Sequence, residues 1–375
     1  MKKRTIGLTT AVSLAVMTGF TFQATTGQTA VASVISKPTI KLTDIQNHWG
    51  KEAIEGAIHT GYVDGYEDGT FRPDQNVSRA EFLKMTATAL KLKVGAIEEG
   101  NNWHTAYVKA AEEAGILHEG DFKAGNIGTT ISRIEMAKIA LRASDKELQK
   151  KEYSLTESTA MYNSVKKGLI QGLGNGELAP AAATTRAQSV TIIDRILGVS
   201  ASKELPVDKA ALSVAEVEMT GSNVKSFFNI DPRMIGSTWF LDTGVKAELQ
   251  QLIIADQNDP ADPFMHLVDI SEWWPPKANK AKDVIVLAKF KVTIEDTAPK
   301  GIILYANQHF MLGDTTGIIR VRPEYKLAGA MEYDKPGVYS GYVAYSLEKL
   351  PNVRDRIMFT IAGKNYFLAA KEGEK

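Results

Sequence analysis

The sequence predicts a multi-domain chain in which an all-α unit built from repeats is followed by an all-β sandwich. Two observations carry this expectation. The first half matches itself at a register near 54 residues, and the second half breaks into short β-rich runs separated by Gly, Pro and Asp turns. At 375 residues the chain is long enough for two or more hydrophobic cores.

An apolar fraction of 44% and a charged fraction of 23% are those of a folded globular protein. Lys plus Arg and Asp plus Glu each total 44, so no net field steers the chain toward nucleic acid. With no cysteine there is neither a disulfide framework nor thiol chemistry. Lys2, Lys3 and Arg4 precede an apolar run from Ile6 to Phe22, and Ala30-Val31-Ala32 has the spacing of a signal-peptidase site, so residues 1–32 read as a secretory signal. Its removal takes away three basic and no acidic residues, leaving 41 basic against 44 acidic groups, a net of −3. No later segment reads as a membrane span, so no membrane partner is expected after processing.

The repeat has three units. Gly61, Gly115 and Gly168 each stand 18 residues before Arg79, Arg133 and Arg186. Each unit reads as helix, loop, helix. Ile54, Ala57 and Ile58, then Val108 and Ala111, then Met161 and Val165 supply apolar stripes at helical spacing. The glycines fall where a helix ends in a left-handed residue. Gly65, Asp68 and Gly69 in the first loop, and Gly172, Gly174 and Gly176 in the third, suit tight turns. The second helix opens with Ser78-Arg79-Ala80-Glu81, Ser132-Arg133-Ile134-Glu135 and Thr185-Arg186-Ala187-Gln188, each a capping box. The box accounts for the first and fourth positions but not for the arginine, a cation facing the positive end of the helix dipole at a cost of ~0.3–1 kcal/mol. Either the guanidinium and free helix-start amides together hold an anionic ligand, or each arginine pairs with a neighbouring acid and staples loop to helix.

These units resemble the S-layer homology domain family. The first carries Asp44, Trp49, Gly61-Tyr62, Gly65, Asp68-Gly69-Thr70-Phe71, Pro73 and Ser78-Arg79-Ala80-Glu81. The second keeps Trp103, Gly115, Ser132-Arg133 and Glu135 but has Lys123 for Gly69 and Ile127 for Pro73. The third keeps Gly168, Gly172, Gly176, Pro180 and Thr185-Arg186-Ala187 but has Thr156 at the Trp position and Gln188 for Glu. The units span 41–94, 95–150 and 151–199, the last degenerate. The resemblance implies a pseudo-threefold helical unit with ligand grooves between adjacent repeats, and as partner a secondary cell-wall polysaccharide linked to peptidoglycan and carrying pyruvate. On that basis Arg79, Arg133 and Arg186 hold the carboxylate, and Trp49 and Trp103 lie against a sugar face or lock a helix to its neighbour. Lys84 and Lys138 add charge or stand on a solvated face. Asp44, Asp68, Gly65 and Gly172 line the groove or serve the turns. The third repeat has Thr191 at the Lys position, so its groove is expected to be impaired.

Residues 200–211, with Pro206, read as a linker, and 212–375 as a β-rich domain. Strands are expected at 214–219, 284–294, 302–305, 318–321, 341–345, 357–361 and 366–368, with a hairpin over 310–317. This stretch resembles the immunoglobulin-like domains of Gram-positive surface proteins. Only His266 and His309 occur beyond residue 200, with no H-E-x-x-H or G-x-S-x-G spacing, and Asp256, Asp259 and Asp262 read as an acidic turn. No catalytic residue, metal or cofactor is expected. The function expected is non-covalent anchoring to the wall with display of the β domain, an unknown surface partner of that domain being open. The alternatives are an anchored wall-modifying enzyme and a small S-layer lattice subunit.

Overall fold

The computed structural model of the chain describes residues 42–372 apart from 98–99, 123–124, 275–282, 301–302, 314, 328–329, 333–334 and 349–354. The expected signal over 1–32 lies outside the described residues, as does Lys123.

Two helices form in each repeat: α1 (Lys51–Thr60) and α2 (Arg79–Ala89), α3 (Thr105–Glu113) and α4 (Arg133–Ala143), α5 (Glu157–Lys166) and α6 (Arg186–Ser200). Gly61, Gly115 and Gly168 follow the first helices at φ 79°, 69° and 71°, a backbone that a Cβ would strain. All three second helices begin with a closed capping box. The first helix of one repeat packs on the second helix of another, α3 on α2, α5 on α4 and α1 on α6. One continuous core results, in which Phe71 and Phe82, Ile131 and Ile139, and Val190 and Ile193 from the three repeats are fully buried. No repeat encloses a core of its own.

After α6 the chain differs from the expected linker. Leu205 packs against the repeat core, and Gly168 leaves room for it: a Cβ there would lie 2.7 Å from Leu205 Cβ and 2.9 Å from the Pro206 carbonyl. Residues 214–219, expected as a strand, belong to helix α7 (Lys209–Thr220). Asp208 caps it by accepting from the Ala211 amide at 3.0 Å, and Gly221 ends it at φ 80°. Ala211, Val214, Ala215 and Val217 stand at helical spacing, and tertiary burial decides between this pattern and the alternation of Val214, Glu216 and Glu218 with their neighbours. Ala211 and Ala215 lie in the repeat core, while Val217 is buried in the core of the β domain. A short α8 (Val224–Phe228) follows.

The β domain is built from β1 (Asp231–Pro232), β2 (Thr238–Asp242), β3 (Val245–Asp256), β4 (Val268–Trp274), β5 (Asp283–Ile294), β6 (Ile303–Tyr305), β7 (Phe310–Leu312), β8 (Thr315–Val321), β9 (Ala330–Glu332), β10 (Gly337–Glu348), β11 (Arg356–Ile361) and β12 (Lys364–Ala370). β2-β3-β5-β10-β8-β4 form one sheet and β1-β12-β11-β7 a second, with β6 and β9 as a separate pair. An apolar core draws on both large sheets. In it Phe290 of β5 stacks on Phe310 of β7, ring centroids 4.1 Å apart, and lies 6.4 Å from Phe359 of β11. The expected hairpin over 310–317 does not form. β7 pairs with β11 and β8 with β10, because the alternating apolar residues of each run are claimed by different sheets. β2, β3 and β4 were not anticipated from sequence.

The six-stranded sheet is tied directly to the junction. The fully buried Asn223 side chain donates to the Ile254 carbonyl and accepts from the Ile254 amide, both at 2.7 Å, and Ser222 Oγ donates to the Leu252 carbonyl at 2.6 Å. These groups act as a surrogate strand on the part of β3 that lies beyond its pairing with β2.

Glu216 of α7 is almost wholly buried and accepts from the Ser226 amide of α8 at 3.0 Å. Burial raises its pKa, against weaker lowering by Ser226, Lys225 and Lys166. A raised carboxyl contributes its full stability below the unfolded pKa and loses it as pH rises through the folded value. Glu216→Gln should therefore raise the melting temperature at pH 8 by about 1–3 °C and leave it unchanged at pH 4. Equal shifts at both pH values in thermal melts would refute this.

Candidate functional site

The second-helix starts meet at the centre of the repeat unit. Beyond each cap, the first two amides donate to the loop of a different repeat: Arg79 and Ala80 to the carbonyls of Thr129 and Ile127, Arg133 and Ile134 to those of Ala182 and Pro180, and Arg186 and Ala187 to those of Gln75 and Pro73, all at 2.9–3.0 Å. Inside this lies a closed triangle. Val77 N–H donates to Thr184, Thr184 N–H to Ile131 and Ile131 N–H to Val77, each at 3.0 Å.

These bonds correct one premise of the sequence reading. The helix-start amides are not free to hold an anion, since the incoming loops consume them. The arginines follow the same route. Arg79 is 3% exposed and donates Nη2 and Nε to the two carboxylate oxygens of Glu135 at 2.6 and 3.2 Å, with Nη1 on the Asn126 carbonyl at 3.2 Å. Arg133 donates to the carbonyls of Leu178 and Gln171, both at 2.8 Å. Arg186 donates to those of Phe71 at 2.9 Å and Asp64 at 3.1 Å and lies over the Phe71 ring. Each guanidinium thus staples its helix to the next repeat's loop, which explains a cation at a position that helix electrostatics disfavours. Glu135 has two roles, closing its own capping box and pairing Arg79.

Two of the cavities among the described residues lie between repeats. One, of about 300 Å³, is walled by Trp49 of the first repeat, Arg133 and Met136 of the second, and Gln171, Gly172, Leu173, Gln188, Thr191 and Arg195 of the third. Trp49 is 65% exposed, the most exposed aromatic ring of the helical unit. Burial lowers the pKa of both Arg133 and Arg195, which nonetheless stay cationic at neutral pH. The other cavity, of about 770 Å³, lies between the second and third repeats and includes Lys138, Arg142, His118 and Tyr153. At the remaining repeat pair Lys84 Nζ sits 5.5 Å from the centroid of Trp103, a cation–π contact between α2 and the segment before α3.

The structure therefore brings Trp49, Arg133 and Gly172 together from three different repeats, and Lys84 with Trp103 from two. It separates the others. Asp44 is held in the first loop, accepting from the amides of Phe71 at 2.9 Å and Arg72 at 2.7 Å. Asp68 accepts from Thr70 N and Oγ1 and from Arg72 Nη2, and these bonds hold its carboxyl down at about 2. A Cβ on Gly65 would come within 2.7 Å of Leu42 Cδ2, so loop packing fixes that glycine. None of these three lines either cavity. Arg142 and Arg195 were missed, although each stands nine residues after the arginine of its repeat, a periodicity the sequence does contain. The grooves also redistribute the third repeat's losses. Thr191 faces the groove of Trp49, whereas Ser154 and Leu155, just before Thr156, wall the groove of Lys138.

A family model described as the S-layer homology domain matches residues 41–83 and 153–188, flanking the second unit. Over 188 residues the chain is 29% identical to an exoglucanase, XynX, of Acetivibrio thermocellus, covering 45% of this chain and 17% of that protein. Over 173 residues it is 31% identical to an amylopullulanase of Thermoanaerobacterium thermosulfurigenes, covering 41% of this chain and 9% of that protein. Over 103 residues it is 29% identical to the S-layer protein sap of Bacillus anthracis, covering 26% and 12%. The chain spans less than a fifth of the length of each of these relatives.

The staple roles set an order of stability costs. Arg79→Met leaves the Glu135 carboxylate buried without its partner and should cost about 3 kcal/mol in urea unfolding, partly recovered by adding Glu135→Gln. Arg133→Met and Arg186→Met leave only carbonyls unpaired and should cost about 1–3 kcal/mol each. A null effect at Arg79 would remove the staple role.

Proposed function

We propose that this chain, a cell-surface protein of the S-layer homology family, binds an anionic, pyruvylated secondary cell-wall polysaccharide in the grooves between its repeats and so anchors itself without a covalent bond. The observation that carries the reading is the Trp49 groove. It combines an exposed indole with two guanidinium-bearing residues, Arg133 and Arg195, and has no Asp or Glu among its described lining residues. An aromatic face suits the apolar face of a sugar ring, and guanidinium groups suit a carboxylate. The Lys84–Trp103 pair repeats the combination at another repeat boundary. The relatives include an exoglucanase, an amylopullulanase and an S-layer protein, a mixture that a shared anchoring segment would account for.

The finer fold reading belongs to the same proposal. A pseudo-threefold relation among the repeats is supported by the cyclic amide-to-carbonyl exchange, and an immunoglobulin-like sandwich by two sheets that share one core. Among the described residues no helix is long and apolar enough to cross a membrane. Reading the β domain as displayed and not catalytic rests on its sequence, which places only His266 and His309 beyond residue 200 and neither in a catalytic spacing. The division at 200–211 becomes a continuous junction, with α7 as its main element.

Sedimentation with purified cell walls tests the anchor. The full chain should pellet with walls and stay in solution with walls stripped of acidic polysaccharide, and Trp49→Ala and Trp103→Ala should each weaken retention about tenfold. Equal retention on stripped walls would reject the reading.

A further inference from the structure

The two cavities are opposite in charge. Arg133 and Arg195 line the Trp49 groove, with no carboxylate among its described lining residues. The cavity between the second and third repeats carries Lys138, Arg142 and Lys151 against Glu112, Glu113, Glu119 and Asp121. Among the described residues three cations face four carboxylates, a formal balance of −1 with His118 neutral. Within it the charges are sorted by depth. Arg142 and Asp121 form a buried ion pair, each under 5% exposed, and so cancel. Glu112, Glu113, Glu119 and Lys151 are exposed at the rim, and Glu113 also lies 3.8 Å from Lys109. His118 turns inward to the Gln149 carbonyl at 3.1 Å.

Lys138 is the exception. It is nine-tenths buried, lines the cavity, and makes no hydrogen bond or ion pair with the described residues. Its counterpart in the first repeat, Lys84, is exposed and rests on Trp103, so the difference lies in the groove and not in the residue type. A buried ammonium without a carboxylate partner is costly unless an anionic group meets it. A purely anionic polymer would have to pass the rim carboxylates to reach it, and a purely cationic one would be repelled at the floor.

We propose that this groove takes a zwitterionic group, its carboxylate bound by Lys138 at the floor and its ammonium met by Glu112 and Glu119 at the rim. Wall material offers that chemistry from two sources, the free amino-acid end of a wall peptide and an acid-bearing sugar with an unacetylated amine. The inference rests on the reading that the inter-repeat grooves bind wall polymer, and it assigns the two cavities different chemical groups.

Sedimentation of the full chain with purified walls, untreated or with their free amines acetylated, tests this. Acetylation should lower wild-type retention about fivefold, a change corresponding to the loss of one charge contact. Lys138→Gln should already be lowered by a similar factor on untreated walls and be insensitive to acetylation, with no loss of thermal stability. Lys138→Arg should restore both retention and sensitivity. Soluble competitors separate the sources: peptide-free wall polysaccharide and glycan-free wall peptide are each added, and displacement of the Lys138-dependent fraction by either supports the groove's assignment and identifies its origin. Displacement by neither overturns it. Wild-type retention that ignores acetylation but vanishes on walls stripped of acidic polysaccharide overturns this assignment while leaving the anchor standing. No retention on untreated walls overturns both.

Discussion

The helical unit depends on an exchange of hydrogen bonds in which no repeat completes its own second helix. Each helix start has donors that its own chain segment leaves unpaired, and each is satisfied by the loop of a different repeat. The triangle of Val77, Thr184 and Ile131 closes the exchange at the centre. Because buried backbone donors must be paired, removal of any one repeat would leave two others with exposed or orphaned polar groups. The core follows the same logic, since first helices pack across repeat boundaries and the apolar cluster runs through all three units.

This exchange explains the arginines and builds the grooves at the same time. A guanidinium in the first helical turn is unfavourable for the helix alone, yet here it reaches into the neighbouring loop that has just delivered its carbonyls. Stapling loop to helix leaves a cleft beside it, walled by the start of one repeat and the second helix of another. Groove chemistry is therefore composite. An indole at the start of the second repeat meets a lysine of the first, and the Trp49 groove pairs an indole of the first repeat with Arg195 of the third.

The repeats are joined to the β domain through α7, whose alanines enter one core and whose Val217 enters the other. The pairing of Asn223 and Ser222 with the edge of β3 extends that contact by hydrogen bonds. A segment that composition marks as a tether is thus a packed element. The buried Glu216 carboxylate sits at this junction against α8, a polar group enclosed where α7 meets its neighbour.

By itself the sequence determined what is local. Helix stops at Gly61, Gly115 and Gly168, the capping boxes, the three-unit register and the long strand over 284–294 follow from backbone conformation and short-range side-chain bonding, which residues a few positions apart decide. It also marked Trp49, Arg133 and Gly172 as special without giving a reason for them to meet. Only the tertiary structure decided what residues distant in the chain do to one another. It filled the helix-start amides, turned the arginines into staples, made 214–219 helical, separated the expected 310–317 hairpin into two sheets and buried Lys138 with no ion-pair partner among the described residues. In each case the deciding energy is burial or a hydrogen bond supplied by another segment, and no property of the local residues encodes which segment arrives.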